Sequence, residues 1–156
     1  MTKPSLADLP MNSIIGLIGS NLVSPGAGAA GAIALALASA CATKAVLISL
    51  KHSPHEPRLT VALPHLKNLS GWALHGADVD SAAFKEFIQE KSPQAATELL
   101  RAGETIAQLI EGLSRIITDV EPHITPSMAG DLLAASALAT ASRSIQSANE
   151  AQTKGE

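Results

Sequence analysis

Apolar or small residues fall at Leu99, Leu100, Gly103, Ile106, Ala107, Ile110, Leu113, Ile117 and Val120. Steps of three and four residues mark one face of an amphipathic helix and predict a helix over 94–120. Ser92-Pro93 starts that element, and the Pro-marked stretch "EPHITPS" after it reads as a loop. Upstream, "MNSIIGLIGSNLV" predicts a short helix whose apolar side is Ile14, Ile15, Leu17, Ile18 and Leu22. Ser24-Pro25-Gly26 breaks it, and a long alanine helix follows to about Leu50. "KHSPHEP" is a second loop. A third long helix is expected from Arg58 to Glu90, with a kink at Pro64, where the missing backbone donor and the ring crowd the preceding turn. Ser127 or Asp131 opens a final helix through about Asn149, ahead of a polar tail "EAQTKGE"; residues 1–10 read as an irregular arm. No strand pattern or internal repeat interrupts this series. The expectation is an all-α bundle of about five helices in one domain, 1–156, with its core at about 5–150.

The alanine helix carries little bulk on several faces: Gly28, Ala29, Gly31, Ala32, Ala36, Ser39, Ala40 and Thr43 are all small. Neighbouring helices can approach such a helix near the short end of the usual 8–10 Å axial separation. It therefore belongs at the centre of a bundle or across a symmetric dimer interface. A membrane span is disfavoured because Lys44 closes the alanine-rich stretch from Ala29 to Thr43 before the ~20 residues a span requires. The start of this helix offers flexible glycine backbone and unpaired N–H groups, a place for an anionic or carbonyl-bearing ligand. The plainer reading of Pro25-Gly26 is a helix-entry turn.

Composition narrows the function. Hydrophobic residues make up 46% of the chain, yet Trp72, Phe84 and Phe87 are its only aromatic ones, a palette that suits helices. The net charge of −3 and scattered basic residues argue against a nucleic-acid partner. A lone cysteine, Cys41, forms no internal disulfide and reads as a buried, unreactive thiol in a reducing cytoplasm. "MTKPSLADLP" has Asp8 and two prolines where a secretion signal needs an apolar run.

Three stretches taken in order carry a family resemblance. "SPGAGAAGAIALALASACA" resembles the "PGGGS"-alanine helix of the cyclodeaminase/cyclohydrolase family, which includes the C-terminal half of formiminotransferase-cyclodeaminase and bacterial methenyltetrahydrofolate cyclohydrolases. "GADVDSAAFKEF" resembles its "D-x-D-x-x-A-F" segment, and "GDLLAASALATASRSIQSAN" its "S-D-L" helix. Here Gly26-Ala27-Gly28 stands for the triple glycine and Ala29 for the following serine. The spacing between Asp80 and Asp131 is short for the family. The resemblance implies an all-α homodimer acting on one-carbon groups of tetrahydrofolate, with the folate as substrate and no tightly bound cofactor. It assigns the catalytic role to Asp80. It implies substrate contacts from Pro25, Gly26, Gly28, Phe84, Asp131 and Asn149.

The residues themselves leave alternatives. Asp78 and Asp80 can equally belong to a solvated face. Asp131 can be a first-turn acid favoured by the helix dipole, or a group fixing the pterin ring or a partner chain. Asn149 lies eighteen residues further on the same helix and can simply bond a neighbouring helix. Lys44 can meet a folate carboxylate or reach to solvent. His52 and His55 stand three apart in a Pro-rich loop without an accompanying acid or cysteine cluster, so no metal site is expected. His65 and His75 read as surface or packing residues.

Overall fold

The computed structural model describes residues 4–155. Five α-helices carry the fold: α1 (Met11–Ile18), α2 (Ala27–His52), α3 (Pro57–Glu90), α4 (Pro93–Val120) and α5 (Ala129–Gly155). Short 3-10 turns at Leu6–Asp8, Glu121–His123 and Pro126–Met128 fill the connections. The expected all-α bundle is the observed architecture, with no strand among the described residues.

Local chemistry sets the helix starts. Glu56 accepts a hydrogen bond from the Arg58 amide at 3.1 Å, and Pro57 stands at the first helical position of α3. Ser92 accepts from Ala95 N at 3.1 Å, with Pro93 in the same role for α4. Each cap satisfies an amide that the helix itself leaves free, and proline has no amide to lose there. Lys91, in the left-handed region at φ 49°, turns the chain from α3 into α4.

α2 runs along both α3 and α5, while α4 closes the far side of the bundle against α3 and α5. By length and composition α2 is apolar enough to cross a membrane; in this fold it is the core helix. Ala29, Ala32, Ala38, Ala42 and Ala45 are fully buried along it. Larger side chains from the neighbours fill the space the alanines leave, among them Leu59, Leu66, Ile106 and Leu113. Two serines tie the close contacts: Ser39 donates to Leu66 O at 2.7 Å, and Ser142 donates to Gly31 O at 2.8 Å. Both bonds are buried, where an unpaired hydroxyl would be costly.

α3 spans Pro64 without a break, as expected; Pro64 and Thr60, whose carbonyl loses its helical partner, are both exposed, so water can serve that oxygen. Several other expectations need correction. α1 stops at Ile18, and Leu22 and Val23 lie outside it; only Ile14 of its expected apolar side is buried, with Ile15 facing solvent. α5 does not end at Asn149. Thr153 donates to Asn149 O at 2.9 Å, and Lys154 pairs with Glu150 one turn back, so the expected tail is helical through Gly155; Glu156 lies outside the described residues. Residues 1–3 of the expected arm lie outside the described residues; of the rest, Leu6 is buried, and Asp78 accepts from Ser5 Oγ at 2.5 Å and from Leu6 N at 2.8 Å. Cys41 is half-buried instead of buried, and His52 ends α2 instead of lying in a loop.

Candidate functional site

A second, smaller apolar cluster lies away from the main core, where the C-terminal part of α3 meets the start of α4. It contains Ala83, Phe87, Ala95, Leu99 and Ala102, with Phe84 and Ile88 packed on it. Beside it opens a cavity of about 220 Å³ whose walls come from four helices. The first turn of α2 supplies Gly26, Ala27 and Gly28; α3 supplies Asp80 and Phe84. α4 turns Leu100, Gly103 and Ala107 toward it, three positions of its expected apolar face that do not enter the buried core. The last turns of α5 add Gln146, Asn149 and the Glu150–Lys154 pair. The volume is below the ~300–1,000 Å³ of sites that enclose a whole drug-sized ligand. A ring system fits such a space and leaves any long substituent outside.

Asp80 is the chemically distinctive group. It is 6% exposed, and its carboxylate sits against the Cα of Gly28, so close that a β-carbon there would overlap both oxygens. Gly28 is required by this approach and not by backbone twist, because no glycine among the described residues has a positive φ. Burial pushes the Asp80 carboxyl up to about 6, since the ionised form loses water. The positive end of α2 adjoins it and favours the anion, but desolvation wins. A carboxyl that titrates near neutrality in a water-poor cleft can both accept and deliver protons.

Gln146 is the other buried polar side chain in the cavity wall, at 7% exposure. Its Nε2 donates a long 3.5 Å hydrogen bond to Gly28 O. Sequence reasoning missed it; the available signal was its place three residues before Asn149, on the same helical face. Phe87, Leu99 and Gly103, also absent from the expected set, complete the apolar wall.

The structure brings Gly26, Gly28, Asp80, Phe84 and Asn149 to this one cavity. Pro25 is buried behind the turn and does not line it; Ser24 anchors that turn by donating to Ser81 O at 2.6 Å. Asp131 is not in the cavity. It opens α5 and pairs with Lys44 at 3.0 Å on the bundle surface, eighteen residues and about 27 Å of helix from Asn149. Lys44 is accordingly outside the cavity too. Asp78 serves the N-terminal arm. Among the described residues no group of three or more His, Cys, Asp or Glu could hold a metal ion.

The two departures in the glycine motif leave the acid undisturbed. Ala27 is the first helical residue of α2, where a side chain carries no conformational penalty. Ala29 is fully buried in the main core and does not reach the cavity.

No family model matches the sequence, and comparison with curated proteins gives no match. Among solved structures, the fold is similar to that of formiminotetrahydrofolate cyclodeaminase from Thermotoga maritima. The TM-score is 0.89 at 17% sequence identity, over 96% of this chain and 80% of that one. At that identity the likeness establishes the shared fold.

Proposed function

We propose that the chain transforms a one-carbon group on tetrahydrofolate, as a methenyltetrahydrofolate cyclohydrolase or a formimidoyltetrahydrofolate cyclodeaminase, with Asp80 as general acid/base. The observation that carries this reading is a buried carboxyl, raised to about 6, that opens into a cleft beside a glycine-lined helix start. The sequence motifs and the shared fold support the folate class.

One group suffices for either reaction. In hydrolysis, ionised Asp80 takes a proton from water as its oxygen bonds to the methenyl carbon. The bond from that carbon to N5 then breaks. Asp80 returns its proton to N5, the hydroxyl proton goes to solvent, and the 10-formyl product forms. In deamination, N10 attacks the protonated formimino carbon; Asp80 accepts the N10 proton and delivers it to the departing nitrogen. The C–N bond breaks and ammonia leaves. Positioned proton transfer of this kind contributes about 10²–10⁴-fold. Phe84 and the apolar wall around it offer a face for the pterin, and Asn149 a polar edge.

The alternative, a non-catalytic binding or scaffold protein with the same packing, draws on Ala27 and Ala29, and neither intrudes on Asp80. The folate reading carries with it a homodimer and a cytoplasmic location; a monomer at micromolar concentration in sedimentation would count against the dimer. The decisive assay follows loss of methenyltetrahydrofolate absorbance with wild-type protein and Asp80→Asn. Turnover by the wild type and its loss in the variant are expected. Equal background rates in both, with no ammonia released from formimidoyltetrahydrofolate by either protein, would end the enzyme reading.

A further inference from the structure

We propose that Gln146 determines ligand specificity in the cavity, its side-chain amide pairing edge to edge with a cyclic amide of the bound ring. The ring's identity as a pterin rests on the folate reading; the pairing itself rests on the geometry of Gln146.

Two glycines, Gly31 on α2 and Gly103 on α4, make room for this side chain. A β-carbon at Gly31 would lie 3.2 Å from Gln146 Nε2, and one at Gly103 would lie 3.6 Å from Oε1. Gly28 contributes the carbonyl that Nε2 approaches at 3.5 Å. The amide is therefore held between α2 and α4 at 7% exposure, yet poorly satisfied. A glutamine amide has two donor hydrogens and an acceptor oxygen. The long contact to Gly28 engages one hydrogen and is the amide's one hydrogen bond, while the residue lines the cavity. Buried polar groups left in this state cost stability unless something pairs with them.

A purely structural tie between helices is a poor account of Gln146. Ser142, one turn earlier on α5, already makes that tie, with a 2.8 Å bond to Gly31 O. What Gln146 adds is an adjacent donor and acceptor, buried in a cavity wall that also carries Phe84, Phe87 and Leu99. That pattern complements a flat ring carrying a lactam, whose C=O and N–H lie side by side. Asp80, beside Gly28 in the same wall, remains free for proton transfer.

The test uses the full chain with pterin and its N3-methyl derivative, which keeps the ring and removes the lactam N–H. Calorimetry on the wild type should show pterin binding about tenfold or more tighter than the methylated ring. Gln146→Leu should bind the two alike. Ser142→Ala, which removes the neighbouring tie, should retain the discrimination. If Gln146→Leu fails to fold, Gln146→Met replaces it, and the wild-type Gln146 side-chain NH₂ resonances should shift on adding pterin. A wild type that does not discriminate, a Gln146 variant that still does, unmoved NH₂ resonances, or binding of neither ring would each overturn the assignment. Turnover separates the two readings. Methenyltetrahydrofolate hydrolysis without lactam discrimination sinks only the role of Gln146, whereas discrimination without turnover of either folate sinks only the reaction.

Discussion

The Asp80 carboxylate occupies the place where a side chain on Gly28 would begin. The acid of α3 and the glycine of α2 thus fix each other: the missing β-carbon admits the carboxylate, and the carboxylate seals the first turn of the helix. Gly28→Ala forces Asp80 to rotate away. Displacement of a catalytic group by about 1 Å can lower the rate about 10²-fold, and a loss of that order in kcat is expected for this variant. Alanine is otherwise a better helix former than glycine, so thermal melting should change little. A variant with full activity would show that the close approach is not needed.

Asp80 also makes stability depend on pH in a defined direction. Its native value lies above the ordinary carboxyl value of 3.8, at about 6, so the native state holds the proton more tightly than the unfolded chain. The stabilisation is fully present below pH 3.8 and is lost as pH rises through about 6. Above that, the fold carries a buried, unpaired anion at a cost of up to about 3 kcal/mol. Asp80→Asn removes that anion. Urea unfolding should find the variant more stable than the wild type at pH 7.5, with the gain shrinking toward pH 4. An equal difference at both pH values would contradict the raised carboxyl.

The same group sets the expected pH–rate profile. Hydrolysis needs the ionised carboxylate, so kcat/KM for methenyltetrahydrofolate should rise with pH through an apparent value near 6. Any residual rate of Asp80→Asn should lack that limb. A limb that survives unchanged in the variant would assign the titration to another group.

Asp78, two residues from Asp80, should behave in the opposite sense. It accepts from Ser5 Oγ and Leu6 N and so holds the arm that buries Leu6. Hydrogen bonds to a charged acceptor contribute about 1.5–3 kcal/mol. Asp78→Ala should therefore destabilise by about 2 kcal/mol and expose residues 4–10 to protease. Unchanged stability and protection would show that the arm is held by Leu6 alone.

How far the sequence reveals this arrangement differs by feature. The spacing of α4 and the small residues of α2 disclose the bundle, because helical periodicity and bulk are local properties of the chain. Asp80 and the glycine turn are legible through the motifs that carry the resemblance. Asp131 is misleading: a first-turn acid looks alike whether it meets a ligand or a surface lysine, and only the fold reveals Lys44 at 3.0 Å. Gln146 escapes because glutamine on a helix is ordinarily a surface residue, and its burial depends on Gly31 and Gly103 from other helices. Leu100 and Ala107 follow the core periodicity yet face the cavity, since a cavity wall and a core share one apolar pattern.

The end of α5 offers the last test, because its polar composition reads as a tail while its helix forms a wall. Glu150, Gln152, Thr153 and Lys154 all line the cavity. The main core draws on earlier positions of the same helix, namely Leu132, Ala135 and Ala139. Removing residues 150–156 should therefore leave the bundle folded while opening one side of the cleft. The Glu150–Lys154 pair is solvent-exposed and screened, so its loss should move melting only slightly. Ligand affinity should fall about tenfold as water enters around Asp80, whose carboxyl should return toward its ordinary value as burial is relieved. The pH–rate limb of the shortened chain should then shift below 6. A truncated protein with unaltered affinity and an unmoved limb would show that the final turns do not close the site.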